Sequence, residues 1–158
     1  MYTYTLGFVK KGNQILMVNR KKKPWLGCWN GLGGKIMMNE SPEACMIREL
    51  EEEASLIITP DQLKPCGILT WNSFDANGQG LYLFLIDGSK LSLNTPVSTE
   101  EGLLDWKEID WIIHSDNLGV AHNIKHFLPN MIHDHQRYHY HCTFQNDVLI
   151  SVSKEHML

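Results

Sequence analysis

Apolar and polar residues alternate along seven short stretches of the chain, the pattern typical of β-strands that bury one face. The predicted strands are Tyr2–Val9, Gln14–Asn19, Leu63–Trp71, Gly80–Ile86, Leu103–Lys107, Tyr138–Phe144 and Val148–Val152. The first two flank a turn at Lys11–Asn13, and a polar loop at Asn72–Gln79 joins the third to the fourth. Because Gln145–Asp147 separates the last two strands by so few residues, they form a predicted closing hairpin.

Three other stretches have the apolar spacing of helices. A helical turn is predicted at Glu108–Ile113, and a longer helix at Leu118–Ile132 despite Pro129 near its end. A further helix begins after Ser41, a good N-cap, and Pro42 suits its first position. Its predicted apolar stripe consists of Ala44, Ile47, Leu50 and Ala54.

The helix after Ser41 carries an unusual set of charges on its other side. Glu49, Glu52 and Glu53 lie at positions i, i+3 and i+4, so their three carboxylates crowd one face. Like charges at this spacing cost a few tenths of a kcal/mol per pair. Mg²⁺ prefers oxygen ligands and binds between carboxylates and substrate phosphates, which gives the crowding a purpose. Arg48 can reach Glu52 one turn further along the helix. The alternative to a metal site is a charged helix face that is simply exposed to solvent.

The spacing of these residues resembles the Nudix box, a long motif with fixed intervals. The matching positions are Gly34, Glu40, Arg48, Glu49, Leu50, Glu52, Glu53, Ser55 and Leu56. The departure is Ser55, where the family has glycine. Glycine usually supplies a left-handed cap at a helix end, so serine costs on the order of 1 kcal/mol there. The difference concerns local stability and leaves the chemistry intact.

The resemblance implies roles for the box residues. It assigns metal to Glu49, Glu52, Glu53 and the carbonyl of Gly34, with Glu52 or Glu53 also positioning or deprotonating the attacking water. Arg48 would orient a glutamate. Glu40 would lie behind the ligands or reach the metal through water.

A further metal-binding carboxylate is expected outside the box. Many Nudix enzymes place it in the loop before a short strand, which makes Glu101 the candidate here and Glu100 the second choice. The alternative for both residues is an ordinary exposed acid.

The segment Trp29–Lys35 resembles the WNGxGGK segment of the oxidised-purine triphosphatases, the MutT-like branch of the Nudix family. In those relatives the asparagine reads the base, so Asn30 is the predicted specificity residue. An acidic pair near the base pocket corresponds most closely to Asp116, with Asn117 in the second position. The remaining predicted substrate contacts are Trp25 and Trp71, as stacking candidates, and Lys23 and Lys35. The alternatives are a turn asparagine at position 30 and a solvated cationic loop at Arg20–Lys23.

The resemblance implies an α/β/α sandwich with a mixed β-sheet and a loop-helix-loop catalytic motif. The chain length predicts a single domain over residues 1–158. The resemblance implies that this domain uses Mg²⁺, or Mn²⁺, to convert 8-oxo-dGTP or related triphosphates to monophosphate and pyrophosphate. Within the enzyme class, the alternatives are an RNA 5′-end pyrophosphohydrolase and a nucleoside-diphosphate-sugar hydrolase. Outside it, the alternative is a nucleotide-binding module without turnover, which the intact box carboxylates disfavour.

Composition changes this picture little. The chain of 158 residues has a net charge of −4, 43% hydrophobic residues and interspersed charges, which favours a small-molecule partner over a membrane or a stable nucleic-acid complex. Its four cysteines lack disulfide or zinc spacing, which favours the cytoplasm. His139 and His141 alternate onto one strand face, but no acid or cysteine cluster completes a zinc set, so a structural role is favoured. The sequence leaves the oligomeric state open.

Overall fold

The chain folds into a mixed β-sheet with helices packed on both faces. The structure is a computed structural model that describes residues 2–23, 25–72, 80–121 and 123–157. Nine strands are found within these residues, and all of them belong to one sheet.

The strands are β1 (Tyr4–Lys11), β2 (Gln14–Arg20), β3 (Trp29–Asn30), β4 (Leu63–Trp71), β5 (Gly80–Asp87), β6 (Val97–Ser98), β7 (Gly102–Glu108), β8 (Tyr138–Gln145) and β9 (Val148–His156). The helices are α1 (Pro42–Ala54), α2 (Ile109–Ile113) and α3 (Ile124–His133), and a 3-10 turn covers Pro60–Gln62. The strand order is β6-β7-β2-β1-β5-β4-β8-β9, with β3 paired to β2 beside this path. β1 runs parallel to β5 and β4 parallel to β8, and the other pairs are antiparallel.

Strand alternation separates two apolar cores. On β2, Ile15 and Met17 face the core beneath α2 and α3, whereas Leu16 and Val18 face the core beneath α1. All four side chains are buried, so alternate residues of β2 contribute to the cores on opposite faces of the sheet. The helices therefore lie on opposite faces of the sheet, which confirms the predicted α/β/α sandwich.

The predicted helix at Leu118–Ile132 begins too early. The observed helix, α3, starts at Ile124, and the preceding residues pair with β3 instead. Trp29 N donates to Gly119 O at 2.7 Å, and Ala121 N donates to Trp29 O at 3.0 Å. Since these hydrogen bonds satisfy the backbone groups that a helix would use, residues 119–121 remain extended. The two-residue strands β3 and β6 were not predicted.

One predicted feature lies mostly outside the described residues. Of the predicted polar loop at Asn72–Gln79, the structure describes Asn72 alone. All four cysteines are described and carry free thiols. Among the described residues, no helix is long and apolar enough to cross a membrane.

Candidate active site

The local sequence around α1 sets its start and its end. Ser41 caps the first turn, where its hydroxyl accepts a hydrogen bond from Ala44 N at 3.1 Å, and Pro42 occupies the first helical position. Ser55 ends the helix in the left-handed conformation, at φ 56° and ψ 31°. A side chain in this conformation is disfavoured, so the box serine occupies a position that suits glycine.

The buried face of α1 differs slightly from the predicted stripe. Its buried residues are Cys45, Met46, Leu50 and Ala54. Ala44, predicted in the stripe, is exposed, and Ile47 is half-buried. Met46 packs with the strand residues of this core in place of Ala44. The helix is therefore rotated from the prediction, which moves Glu49 and Glu53 towards the sheet.

Five carboxylates line a cleft of about 180 Å³ between α1 and the loop before β7. The residues of this carboxylate cleft are Glu49, Glu52, Glu53, Thr99, Glu100 and Glu101. The structure thus brings both candidate loop acids, Glu101 and Glu100, to the three acids of the helix. Pairing of β7 with β2 holds the loop there, since Lys21 N donates to Glu101 O at 3.2 Å.

Glu53 is the most perturbed acid of the carboxylate cleft. Its burial, a hydrogen bond with Glu49 and the charges of Glu49 and Glu101 raise its pKa from 4.5 to about 9. Without a cation, the Glu53 carboxyl therefore keeps its proton at neutral pH and donates it towards Glu49. A divalent ion bound beside Glu53 would favour the ionised carboxylate, because its positive charge would offset both the cost of burying a charge and the charges of the neighbouring acids.

Gly34 is required by the position of Glu49. A Cβ atom at Gly34 would lie 2.3 Å from Glu49 Oε1, closer than any non-bonded contact allows. The first glycine of the box therefore provides room for the carboxylate. The Gly34 carbonyl, predicted to bind metal, accepts hydrogen bonds from Thr5 N at 2.9 Å, from Thr5 Oγ1 at 3.4 Å and from Cys45 Sγ at 3.8 Å, so its metal role stays a prediction.

Arg48 and Glu40 form a bidentate ion pair behind the carboxylates. Arg48 Nε lies 2.7 Å from Glu40 Oε2 and Nη2 lies 2.9 Å from Glu40 Oε1, while Met37 N donates to the same carboxylate at 3.0 Å. The hydrogen bond from Arg48 is the largest cause that lowers the pKa of Glu40 to about 2. These three donors occupy the Glu40 carboxylate, which favours the predicted supporting role over direct metal binding.

The same guanidinium orients two acids of the carboxylate cleft. Arg48 Nη1 donates to Glu49 Oε1 at 2.9 Å and to Glu52 Oε2 at 3.3 Å, as the spacing predicted for Glu52. Its Nη2 also donates to the main-chain oxygen of Lys35 at 3.0 Å. The Glu49 side chain is 14% exposed and that of Glu52 60% exposed. The first is therefore fixed against the protein and the second is open to a ligand.

The donor chemistry of the carboxylate cleft fits Mg²⁺, which binds carboxylate and carbonyl oxygens and retains water. Among the described residues, no three His, Cys, Asp or Glu side chains already converge at ligand distance. The buried position of Glu53 among other acids, which raises its pKa, fits a cation, and Gly34 leaves room for the Glu49 carboxylate beside it.

Two cations at the rim of the carboxylate cleft were not singled out by the sequence. Lys22 Nζ lies 3.7 Å and Arg20 Nη1 4.0 Å from the Glu101 carboxylate. The run Arg20–Lys23 was the available signal, but it did not show which side chain turns towards the acids. Lys23, the predicted contact, is exposed.

Asn30 and Trp29 lie on β3, which pairs with β2 on one side and contacts residues 119–121 on the other. We call Trp29, Asn30 and residues 119–121 the base-side segment. Asn30 Oδ1 accepts a hydrogen bond from Gly31 N at 2.8 Å. Lys107 Nζ lies 4.4 Å from the centroid of the Trp29 ring, a cation–π contact that holds the indole in place.

Asp116 and Asn117 were predicted to form the acidic side of the base pocket, and their contacts differ from those of Asn30. Asp116 is exposed, with its main-chain N–H on His114 Nδ1 at 3.1 Å. The Asn117 side chain closes the turn, since its Nδ2 donates to Trp111 O at 2.7 Å and its Oδ1 accepts from Gly119 N at 2.9 Å. This geometry favours a structural role for Asn117, while base contacts by both residues stay predictions.

The other predicted substrate contacts are dispersed. Trp25 and Trp71 are half-buried, and both pack against the core beneath α2 and α3, as does Trp29. Lys35 is exposed. The structure thus places the two stacking candidates on the same side of the sheet as Trp29.

A mixed sheet between helices and a carboxylate-lined cleft define an α/β protein with a site suited to divalent cations. Residues 3–134 match the model of the NUDIX domain, so the chain belongs to the NUDIX family. The MutT protein from Bacillus halodurans has the same fold, with a TM-score of 0.80, 22% identity and coverage of 98% of each chain.

Two relatives in sequence have named activities. An ADP-ribose pyrophosphatase of Methanocaldococcus jannaschii is 39% identical over 51 residues, which cover 32% of this chain and 30% of that enzyme. An oxidized purine nucleoside triphosphate hydrolase of Mus musculus is 29% identical over 113 residues, which cover 72% of this chain and 70% of that enzyme.

Proposed function

We propose that this NUDIX protein hydrolyses nucleoside triphosphates with Mg²⁺, or Mn²⁺, and acts on 8-oxo-dGTP or related oxidised purine triphosphates. The products are the nucleoside monophosphate and pyrophosphate. The observation that carries the proposal is the carboxylate cleft, in which burial and neighbouring charge raise the pKa of Glu53 to about 9. Such a cleft is unfavourable without a cation and suits the phosphates that a cation brings.

The residues of the cleft divide the work. Glu49, Glu52, Glu53 and Glu101 would hold the metal, and a bound metal would neutralise charge on the phosphates and on the leaving group. Either Glu52 or Glu53 accepts the proton of the water that attacks one phosphorus of the α–β anhydride. The bond between that phosphorus and the bridging oxygen breaks, which releases the monophosphate and pyrophosphate. Arg48 fixes Glu49 and Glu52 through the contacts of 2.9 and 3.3 Å, and Glu40 fixes Arg48. Correct placement of the acids in this way supports catalysis without contact with the substrate.

The oxidised-purine assignment rests on the base-side segment and on a relative. Lys107 and residues 119–121 hold Trp29 in place. The main chain of the next residue, Asn30, is therefore fixed, which restricts where its side-chain amide can lie. A preorganised amide distinguishes bases by their hydrogen-bonding edges. The mouse enzyme, whose similarity covers most of this chain, is named for the same substrate class.

A second candidate is the hydrolysis of a nucleoside diphosphate linked to a sugar. The observation in its favour is the 39% identity to the archaeal ADP-ribose pyrophosphatase, which is higher but covers less of the chain. The carboxylate cleft serves both reactions, since both break a phosphoanhydride bond.

A substrate panel tests the proposal. Purified protein with Mg²⁺ is given 8-oxo-dGTP, dGTP, ATP, ADP-ribose and a 5′-triphosphorylated RNA, and pyrophosphate, phosphate and nucleotide products are quantified. The proposal expects pyrophosphate, with 8-oxo-dGTP giving the highest kcat/KM. Preference for ADP-ribose or for the RNA end would support the alternatives, and binding without turnover would indicate a nucleotide-binding module.

A further inference from the structure

The Cys45 thiol lies where α1, β1 and the loop that carries Gly34 meet. Cys45 is fully buried and precedes Glu49 by one helical turn, so the two side chains lie on the same face of α1. Its Sγ lies 3.4 Å from Thr5 Oγ1, 3.8 Å from Gly34 O and 3.7 Å from Arg48 Nη2. One small side chain therefore contacts a strand, the box loop and the guanidinium that orients the acids.

The Thr5 hydroxyl connects this thiol to both main-chain groups of Gly34. Thr5 is buried, and its Oγ1 lies 3.4 Å from Gly34 N and 3.4 Å from Gly34 O. The main chain adds a hydrogen bond from Thr5 N to Gly34 O at 2.9 Å. A hydroxyl and a thiol each donate one proton and also accept, so together they serve the N–H and the carbonyl of the Gly34 peptide. The pair therefore holds this peptide against β1.

The position of Gly34 in turn determines where the Glu49 carboxylate lies. A Cβ atom at residue 34 would lie 2.3 Å from Glu49 Oε1, so the carboxylate rests directly on Gly34. Arg48 Nη1 donates to the same oxygen at 2.9 Å, and Nη2 of that guanidinium is the atom in contact with Cys45 Sγ. A displacement at Cys45 would therefore reach Glu49 both through Gly34 and through Arg48.

We propose that Cys45, together with Thr5, is a positioning residue for the carboxylate cleft, because the pair fixes the Gly34 peptide and Arg48 and thereby the Glu49 carboxylate. The inference rests on the proposed function, in which Glu49 holds a metal. Neither side chain contacts the substrate in this role. Groups that support metal ligands from behind typically change metal affinity or activity by about 10- to 100-fold. The long contacts of Cys45 place its effect at the lower end of this range.

Cys66 supplies a matched control for the loss of a buried thiol. It is 2% exposed, and its Sγ donates to Lys64 O at 3.3 Å. It packs in the core beneath α2 and α3, on the face of the sheet opposite α1. Cys66→Ala therefore removes a thiol of the same size from the interior and leaves the contacts of Gly34 and Arg48 in place.

The experiment measures how tightly the protein binds Mn²⁺, from the electron paramagnetic resonance signal of the unbound ion. Mn²⁺ suits the same oxygen ligands as Mg²⁺. Cys45→Ala and Thr5→Val should each weaken Mn²⁺ binding by about 10-fold, whereas Cys66→Ala should keep the wild-type affinity. Cys45→Ser and Thr5→Ser keep a group that donates and accepts, so they should recover most of the loss. Circular dichroism and unfolding midpoints distinguish a loss of affinity from a loss of folded protein.

Turnover gives a second readout. At saturating metal, Cys45→Ala should lower kcat and leave the ratio of kcat/KM between 8-oxo-dGTP and dGTP unchanged. Wild-type Mn²⁺ affinity in folded Cys45→Ala and Thr5→Val, or an equal loss in Cys66→Ala, would overturn the inference. If Cys45→Ala fails to fold, the comparison of Thr5→Val with Thr5→Ser decides by the same measurement.

The two proposals fail in different ways. A wild-type protein that binds Mn²⁺ but hydrolyses no nucleotide would refute the proposed function, while the affinities of the variants would still decide the positioning role. A wild-type protein that binds no Mn²⁺ would overturn both.

Discussion

The carboxylate cleft and the base-side segment are held together by opposite kinds of interaction. In the cleft, acids of the same charge crowd around Glu53, whose pKa is raised to about 9. In the base-side segment, Trp29 exchanges two main-chain hydrogen bonds with Gly119 and Ala121, and its ring packs against Lys107. In our proposal the first region depends on a cation, whereas the hydrogen bonds of the second need no ligand.

This difference supports the proposed division of tasks between the two regions. A group whose protonation changes with its surroundings is suited to chemistry, and a rigid neutral frame is suited to selection between similar bases. Substitutions in the carboxylate cleft should therefore slow all substrates alike. Substitutions in the base-side segment should change the preference between substrates.

The largest effect is expected in the carboxylate cleft. Glu52→Gln and Glu53→Gln should each lower kcat by at least ~10²-fold, since each removes a metal ligand or a base. Pyrophosphate release at saturating Mg²⁺ is the measurement. The control is Glu51→Gln. Because Glu51 is exposed and does not line the cleft, this change should lower kcat only mildly. Near-normal turnover of both Glu52 and Glu53 variants would show that the metal assignment is wrong.

A smaller and selective effect is expected at Asn30. Asn30→Ala should reduce kcat/KM for 8-oxo-dGTP more than for dGTP, by about 1–3 kcal/mol if one or two hydrogen bonds to the base are lost. Asp116→Asn should have a weaker effect, because Asp116 is exposed. Both are compared with the wild type at saturating Mg²⁺. If each variant slows both triphosphates equally, the two regions do not have separate tasks.

The next effect is expected on the pH dependence of the free energy of unfolding. The pKa of Glu53 is raised from 4.5 to about 9 by folding, so the metal-free folded chain binds a proton that the unfolded chain releases in this range. The stabilisation is therefore complete below pH 4.5 and is lost as pH rises towards 9. Thermal unfolding in EDTA between pH 6 and 9, compared with Glu53→Gln, should show the wild type losing more stability. Mg²⁺ should reduce this loss, and identical curves for the two proteins would contradict the raised pKa.

The smallest effect is expected at the end of α1. Ser55 has φ 56°, where a Cβ atom is disfavoured, so Ser55→Gly should stabilise the protein by about 1 kcal/mol. Denaturant unfolding measures this change. Activity should stay unchanged because Ser55 does not line the cleft. A destabilised Ser55→Gly protein would mean that the entropy of the unfolded glycine outweighs the relieved strain.

The two regions also differ in how far the sequence predicts them. The spacing of Glu49, Glu52 and Glu53 fixes their common face, since a helix relates residues within one turn by simple geometry. Alternation of apolar and polar residues also predicted the longer strands, and Ser41 was predicted as the N-cap that the structure shows. The prediction of the apolar stripe of α1 was less accurate, because Ala44 and Met46 are both compatible with a buried face. Packing against β1 selects Met46.

The sequence predicted Asn30 as a specificity residue but not the pairing of Trp29 with residues 119–121, because these residues are distant in the chain. Residues 119–121 have apolar character that continues into α3, and their spacing alone favours a helix. Pairing with Trp29, some 90 positions earlier, keeps them extended. For the same reason the sequence indicated that Arg20–Lys23 is cationic without showing that Lys22 faces Glu101.

The most direct test counts the protons released when Mg²⁺ binds. Calorimetric titrations with MgCl₂ at about pH 7.5, in two buffers of different ionisation enthalpy, give that number. Since the pKa of Glu53 is about 9 without metal, binding should release about one proton from the wild type and none from Glu53→Gln. A wild-type protein that binds Mg²⁺ without releasing a proton, or a variant that releases the same number, would contradict the account.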